Sequence, residues 1–177
     1  MKKVLVLAGV AGMVAANANA IDMTPYVGLD ASYSVVKRDH SDTQISSKNW
    51  ALAGVLGART DHYGVEAFYQ PGMQEKKGDV KTRLTSYGVD LLGFQPLGCS
   101  GRWEGVVSAG IGEYDVRGHV DDVAGFKDHG FGYRLGAGLQ YALTDTTAVR
   151  AMYHHAWINK SHVDATDEIS LGVRYSF

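Results

Sequence analysis

The chain has 177 residues, with 17 basic and 19 acidic side chains and a formal net charge of −2. This near-balance argues against a nucleic-acid-binding protein and against a strongly basic membrane-surface protein. The single cysteine, Cys99, excludes a disulfide within the chain, so the fold depends on a packed core or a closed hydrogen-bonded architecture.

The first 20 residues have the parts of a secretory signal peptide. Two lysines begin it, an apolar run over residues 4–16 follows, and Ala18-Asn19-Ala20 forms an A-x-A cleavage site. The apolar run is shorter than the roughly 18 to 20 residues that a membrane helix needs. The sequence therefore predicts a cleaved signal peptide over 1–20. It predicts one exported domain over 21–177, because no linker or change of composition divides that part.

Apolar and polar residues alternate along eight segments of the exported part, which is the period of a β-strand with two unlike faces. All but the third segment reach the roughly 9 to 11 residues that a membrane-crossing strand needs. The 22 glycines and only three prolines also suit many strands and little helix. The predicted strands cover 24–35, 50–59, 63–70, 80–94, 103–114, 130–143, 148–157 and 168–177.

The regularity of the alternation differs from strand to strand. The first strand places apolar side chains at odd positions and polar or small ones at even positions. The second is less regular: Leu52 and Leu56 share one face, which puts Arg59 on the other. In the sixth, apolar residues at odd positions over 131–141 oppose glycines, Arg134 and a glutamine at even positions. The seventh and the last strand follow the same plan.

The face that points inward distinguishes two kinds of exported barrel. In a soluble ligand carrier of the lipocalin kind the apolar face lines the cavity, whereas in an outer-membrane barrel it faces lipid. The interior of an eight-stranded barrel is only wide enough for side chains to fill it. The large apolar residues over 131–141 would overfill that space, whereas glycines and an occasional arginine fit. The apolar face is therefore predicted to point outward, which requires lipid.

Links and aromatic residues also indicate a membrane barrel. Longer polar links at 36–49, 71–79, 115–129 and 158–167 alternate with tight turns at 60–62 and 144–147, as extracellular loops and periplasmic turns do. The link at 95–102 departs from this rule by its medium length. Aromatic residues lie near strand ends, as in interfacial girdles. They are Trp50, Tyr63, Tyr69, Trp103, Tyr141, Trp157, Tyr175 and Phe177.

Residues 24–28, 64–67, 136–141 and 172–177 carry a resemblance to a known family. In these segments the chain resembles the opacity-protein-like small outer-membrane β-barrels, which share the OmpA/OmpX-type architecture. The predicted fold is all-β: an eight-stranded antiparallel up-and-down transmembrane β-barrel in a Gram-negative outer membrane, surrounded by its lipids and lipopolysaccharide. The resemblance implies a surface protein involved in adhesion or envelope integrity, without catalytic residues.

The last strand also resembles the closing-strand signal that the barrel-assembly machinery of outer membranes recognises. The residues that carry this resemblance are Ser170, Gly172, Tyr175 and Phe177.

Eight charged residues fall on the predicted inner face. Buried charges are tolerated when they are paired and hydrogen-bonded, and otherwise cost several kcal/mol. Four acids and four arginines therefore predict an internal salt-bridge network that fills the barrel, with a charge-selective water pathway as the alternative. The eight are Asp30, Arg59, Glu66, Asp90, Glu104, Arg134, Arg150 and Arg174.

The pattern of possible catalytic and metal-binding residues favours a protein without enzymatic activity, cofactor or metal. Glu66 and Asp90 lie on one face, but each has arginines to pair with. A lipid A-modifying enzyme is an alternative that draws attention to His154, His155 and Ser161, although neighbouring strand residues point to opposite faces. The remaining candidate ligands lack the convergence of a metal site. They are His40, His119, His129, His155 and His162.

The longest predicted loop, 115–129, is the candidate surface for external contacts. It carries both signs of charge, including Arg117 and Lys127 among several aspartates. The predicted partners are host or cell-surface molecules and lipopolysaccharide, and nucleic acid is not among them. A small-solute pore is the other alternative.

Overall fold

The computed structural model describes residues 23–38, 45–72, 75–77, 80–120, 123–158 and 165–177. The predicted signal peptide lies outside these ranges and stays a prediction. Within them, no helix is long and apolar enough to cross a membrane. The strands are β1 (Thr24–Arg38), β2 (Ile45–Arg59), β3 (Tyr63–Gln70), β4 (Glu75–Lys77), β5 (Val80–Leu97), β6 (Trp103–Val120), β7 (Val123–Ala142), β8 (Thr147–Ile158) and β9 (Ala165–Ser176).

The sheet closes on itself. Except for β3 and β4, sequential strands pair antiparallel; β1 also pairs with β9, and β3 pairs with β5. The three-residue β4 pairs only with the first three residues of β5 and does not take part in closing the sheet. Eight strands therefore form the wall. Closure satisfies the backbone groups that hydrocarbon could not hydrogen-bond. The predicted eight-stranded antiparallel barrel is confirmed.

The register of the strands determines the width of the barrel. Starting at Leu29 and moving from each residue to its partner on the next strand, one reaches Tyr87 of β5 in one direction around the barrel and Leu97 of the same strand in the other. The distance along β5 between these two residues is the stagger with which the sheet closes. At about 3.3 Å per residue and about 4.8 Å per strand, this stagger corresponds to a strand tilt of about 40° and a backbone diameter of about 16 Å. Long side chains from opposite walls therefore meet at the axis.

Side chains alternate between the two faces as predicted. Along β7, Phe131 and Leu135 are 61% and 52% exposed, whereas Arg134 and Gln140 are 7% and 5% exposed. At this tilt, the stretch from Phe131 to Tyr141 covers about 25 Å along the axis, which is the height of the apolar band of outer-membrane barrels. The apolar face points outward.

Aromatic side chains ring both edges of this apolar band. One edge is where β1 begins and β9 ends, which is the periplasmic edge in this architecture. The aromatic pairs are Trp103–Tyr141 and Tyr175–Phe177 at that edge and Tyr33–Trp50 and Tyr133–Trp157 at the extracellular edge, with ring centroids 4.7–5.4 Å apart.

The extracellular ends of the strands are longer than predicted, and the predicted loop at 115–129 is wrong. Residues 115–120 belong to β6 and residues 123–129 to β7, and the two strands remain paired up to Val120 and Val123, with one register shift. Similarly, β1 and β2 extend into the predicted loop at 36–49. Backbone hydrogen bonding continues beyond the apolar band, where an apolar face is not needed and the sequence signal disappears.

The periplasmic link predicted at 95–102 is shorter than expected. β5 continues to Leu97, which leaves a turn over 98–102. Gly98 and Gly101 have φ angles of 73° and 64°, a region that is costly for residues with a side chain. The links at this edge are therefore all tight turns.

Candidate functional site in the barrel interior

All eight charged residues predicted for the inner face take part in ion pairs inside the barrel. They come from eight strands, one residue from each strand of the wall, and their partners lie across the lumen or on neighbouring strands. The pairs are Arg59–Glu104, Arg134–Asp90, Arg150–Glu66, Arg174–Glu66 and Arg174–Asp30.

Glu66 is the centre of the largest group of interactions. Its Oε2 accepts hydrogen bonds from Tyr26 OH at 2.8 Å, Arg150 Nη1 at 2.9 Å and Arg174 Nε at 3.2 Å. The Arg174 guanidinium also donates to both oxygens of Asp30, at 2.6 and 2.9 Å. Such bidentate, charge-assisted contacts hold both partners in one orientation.

A second group extends from this centre towards the periplasmic mouth. Arg150 Nε donates to Gln140 Oε1 at 2.8 Å, and Gln140 Nε2 donates to Glu104 Oε2 at 2.7 Å. Arg59 donates to both oxygens of Glu104, at 2.6 and 2.9 Å, and its guanidinium lies 3.8 Å from the Phe94 ring centroid. A continuous chain of hydrogen bonds thus connects the middle of the barrel with its mouth.

Asp90 and Arg134 form a separate, deeply buried pair. Arg134 Nε donates to Asp90 Oδ1 at 2.8 Å, Nη2 contacts the other oxygen, and the guanidinium lies 3.5 Å from the Phe68 ring centroid. Gly110 provides the space, because a Cβ there would lie 1.8 Å from Asp90 Oδ1. Asp90 and Glu66 are register partners, but each is bound by its own arginine, so the arrangement is one of ion pairs.

A third polar layer, nearer the extracellular side, was missed by the sequence reasoning. Gln70 Nε2 donates to Ser32 Oγ at 2.9 Å and to Glu168 Oε2 at 3.1 Å, and Ser86 Oγ donates to Gln70 Oε1 at 3.4 Å. His154 Nδ1 lies 4.0 Å from Glu168 Oε1. The alternation that placed Arg134 inside also places Glu168 inside, so the signal was available in the last strand.

Apolar clusters fill much of the remaining interior. Leu92, Phe94, Val106 and Met152 form one cluster, and Tyr114, Ala156 and Ile158 form another. Between the layers, an internal cavity of about 20 Å³ is lined by Glu66, Asp90, Arg134, His154 and Glu168, among others. That volume accommodates one or two water molecules.

The residues of the predicted assembly signal lie on both faces of β9. Tyr175 and Phe177 are exposed on the outer face, whereas Ser170 and Gly172 face inward. A Cβ on Gly172 would lie 1.7 Å from Asp30 Oδ1, so the glycine is required by the interior packing. The role of these four residues in assembly stays a prediction.

His154 and His155 point to opposite faces, as their adjacency predicts. His154 lies in the interior, whereas His155 Nδ1 is 2.6 Å from Asp167 Oδ1 on the outer face, where Tyr153 OH also donates to the same oxygen. Ser161, His40 and His162 lie outside the described residues. In the part of the chain that the structure describes, no three histidine, cysteine or carboxylate side chains converge on a metal site.

Comparison with known proteins identifies relatives of this barrel. The family model described as outer membrane protein beta-barrel domain matches residues 4–177. Neisserial surface protein A is similar in structure, with a TM-score of 0.71 and 20% identity over 86% of this chain and 97% of that one. No curated protein sequence matches the chain significantly.

Two further solved structures share the fold. Ail, the attachment invasion locus protein of Yersinia pestis, in complex with the heparin analogue sucrose octasulfate, has a TM-score of 0.65 and 14% identity over 88% of this chain and 99% of that one. The N-terminal β-barrel domain of OprF from Pseudomonas aeruginosa has a TM-score of 0.61 and 16% identity over 88% and 99%. At these identities the likeness is one of fold.

Proposed function

Because the chain belongs to the outer membrane protein beta-barrel domain family and is an integral outer-membrane barrel, we propose that it is a non-enzymatic surface protein. Its transmembrane part is a filled anchor, and its extracellular sheet makes contacts with molecules outside the cell.

The filled interior is the observation that carries the first half of the proposal. Paired charges occupy the lumen from Arg59 near the periplasmic mouth to Arg134 in the middle, and the cavity lined by Asp90, Arg134 and their neighbours has a volume of about 20 Å³. A solute path needs a continuous water-filled bore, which a cavity for one or two water molecules does not provide. The packing therefore supports an anchor rather than the alternative of a small-solute pore.

The extended β6–β7 hairpin supports the second half. Residues 123–131 of β7 pair with β6, but the pairing of β7 with β8 begins only at Gly132 and Ile158. Among the described residues, nothing pairs with the other edge of this stretch. At a tilt of about 40°, eight residues project about 20 Å beyond the aromatic girdle. A hairpin that projects this far presents its side chains and backbone to molecules outside the cell, and strand edges can bind another extended chain.

The nature of the external partner is proposed from the structural neighbours and the sequence. Ail, a barrel of the same fold, was crystallised in complex with the heparin analogue sucrose octasulfate. Here the projecting hairpin carries both signs of charge, with Arg117 and Lys127 among aspartates. We propose host-surface or cell-surface molecules as partners, with lipopolysaccharide as a further candidate.

Shortening the hairpin tests this proposal directly. Residues 116–128 are replaced by an Asn-Gly turn, which joins the paired residues Asp115 and His129 in a two-residue hairpin. The matched control replaces 36–47 in the same way, between Val35 and Lys48. Both variants should remain folded, with the heat-dependent gel shift of a membrane barrel.

The readout is the binding of bacteria that display each variant to cultured host cells, immobilised heparin and purified lipopolysaccharide. The proposal expects the 116–128 variant to lose binding to at least one of these surfaces while the control variant keeps it. Equal binding by wild type and the 116–128 variant, or no binding by wild type beyond that of cells without the protein, would contradict it.

A further inference from the structure

The described interior contains one more carboxylate than arginine. Asp30, Glu66, Asp90 and Glu104 each contact an arginine. The fifth carboxylate, Glu168, accepts a hydrogen bond from the neutral amide of Gln70 at 3.1 Å and pairs with none of these arginines in the described contacts. The Glu168 side chain is 16% exposed, so its charge is only partly hydrated, and a further positive charge would stabilise this layer.

His154 is the titratable neighbour with which Glu168 can share a proton. Ser108, Gly136, His154 and Glu168 occupy one register row across β6, β7, β8 and β9. A Cβ on Gly136 would lie 2.4 Å from Ser108 Oγ and 2.8 Å from His154 Nε2, so the glycine makes room for both side chains. His154 Nδ1, on the other edge of the ring, lies 4.0 Å from Glu168 Oε1.

Two buried atoms of this row lack hydrogen-bond partners. They are Ser108 Oγ and His154 Nδ1, and His154 and Glu168 both line the internal cavity of about 20 Å³. Buried polar groups are almost always satisfied by protein or by ordered water. A water molecule in the cavity would bridge His154 Nδ1 and Glu168, and a proton held by this pair would provide the donor for the bridge. The other edge of the imidazole ring then offers a hydrogen bond to Ser108 Oγ.

The other charged groups around the pair already have partners. Arg134 of β7 is bound to Asp90 of β5, Arg174 of β9 to Asp30 of β1, and Arg150 of β8 to Glu66 of β3. Tyr114 of β6 faces the same layer from the extracellular side, and β2 contributes the apolar Ala53 and Val55. The charge that remains to be balanced is therefore that of Glu168.

We propose that Glu168 and His154 hold one shared proton in the folded barrel, bridged by a water molecule in the cavity. With this proton the described interior has no net charge, and the row from Ser108 to Glu168 is hydrogen-bonded throughout. The proton belongs to the pair rather than to either residue, as in other strongly interacting sites.

The proposal determines how stability depends on pH. In the unfolded chain, a glutamate loses its proton near pH 4.3 and a histidine near pH 6.5. Above about pH 6.5 the unfolded pair therefore holds no proton while the folded pair holds one, so stability falls as pH rises. A difference of one proton changes the unfolding equilibrium constant tenfold per pH unit. Below about pH 4.3 the unfolded pair holds two, so stability falls again with acid.

The test compares urea unfolding of wild type and Glu168→Gln in lipid vesicles from pH 7 to 9. Relative to Glu168→Gln, the wild-type unfolding constant should rise about tenfold per pH unit. The control, Glu104→Gln near the periplasmic mouth, should keep the wild-type dependence. Parallel curves for wild type and Glu168→Gln would overturn the proposal. So would a wild-type stability that rises with sodium at constant ionic strength, because a bound cation would then supply the charge.

A spectroscopic measurement on the wild type keeps the proposal testable if Glu168→Gln does not fold. Infrared and ¹⁵N-histidine NMR spectra at pH 7.5 should show either a protonated carboxylic acid or a charged imidazolium in the folded barrel. A fully ionised set of carboxylates together with a neutral His154 would refute the shared proton.

Discussion

Replacing Asp90 by Asn breaks a deeply buried ion pair while keeping the size of the side chain. The side chains of Asp90 and Arg134 are 2% and 8% exposed. After the change, the Arg134 guanidinium loses the negative charge of its partner and keeps one amide oxygen as acceptor and the Phe68 ring, 3.5 Å from its centroid. Removing one partner of such a pair costs about 3–5 kcal/mol, because a charge is left buried without compensation.

A matched variant and a double variant separate this effect from a general loss of packing. Glu104→Gln also breaks an ion pair, but the side chains of Glu104 and Arg59 are each 17% exposed near the mouth, so we expect a loss of about 1 kcal/mol. Combining Asp90→Asn with Arg134→Met removes both charges and leaves the Asn amide buried without a charged partner. We expect this double variant to lose about 1–3 kcal/mol of unfolding free energy relative to wild type. The double variant should therefore be more stable than Asp90→Asn alone.

The assay is urea unfolding in lipid vesicles, followed by tryptophan fluorescence. With an m-value near 2 kcal/mol per molar urea, Asp90→Asn should lower the midpoint by about 2 M. A loss for Asp90→Asn no larger than that for Glu104→Gln would refute the reasoning. A double variant that is no more stable than Asp90→Asn alone would refute it as well.

Three further predictions concern the packing and the two faces of the wall. In the same assay, Gly172→Ala should lose about 1–3 kcal/mol, because its Cβ would lie 1.7 Å from an interior carboxylate oxygen. Its control is Gly54→Ala, whose Cβ would meet nothing within 4 Å and which should change stability by less than about 0.5 kcal/mol. Leu135→Arg in the apolar band should cost about 2–4 kcal/mol, but Leu143→Arg beyond the periplasmic girdle only about 0–1 kcal/mol; equal costs would contradict the assigned depth. Phe177→Ala should reduce the amount of assembled barrel in cells, measured by the heat-dependent gel shift, without lowering the urea midpoint of the refolded protein.

The barrel and the orientation of its faces could be predicted because alternation survives in a single sequence. One apolar side chain in every two along β7 was sufficient to place Leu135 outside and Arg134 inside. The upper ends of β6 and β7 could not be predicted in the same way. Above the apolar band a strand needs no apolar face, so residues 115–129 read as a polar loop although β6 and β7 remain paired up to Val120 and Val123.

The ion-pair partners also required the structure. Alternation indicates which face a residue occupies, but its height relative to other strands depends on the stagger that closes the barrel. Arg150 reaches Glu66, which is 84 positions away, and Arg174 reaches Asp30 over 144 positions. Glu168 was left out of the predicted network although its even position in the last strand places it on the same inner face as Arg174.

Planar-bilayer recording with the refolded, heat-shift-verified barrel tests the central claim most directly. If paired charges and apolar clusters fill the lumen, the wild-type protein should give no steady single-channel current at moderate voltage. Reproducible ohmic channels from protein refolded free of other porins would contradict the filled anchor and favour a pore.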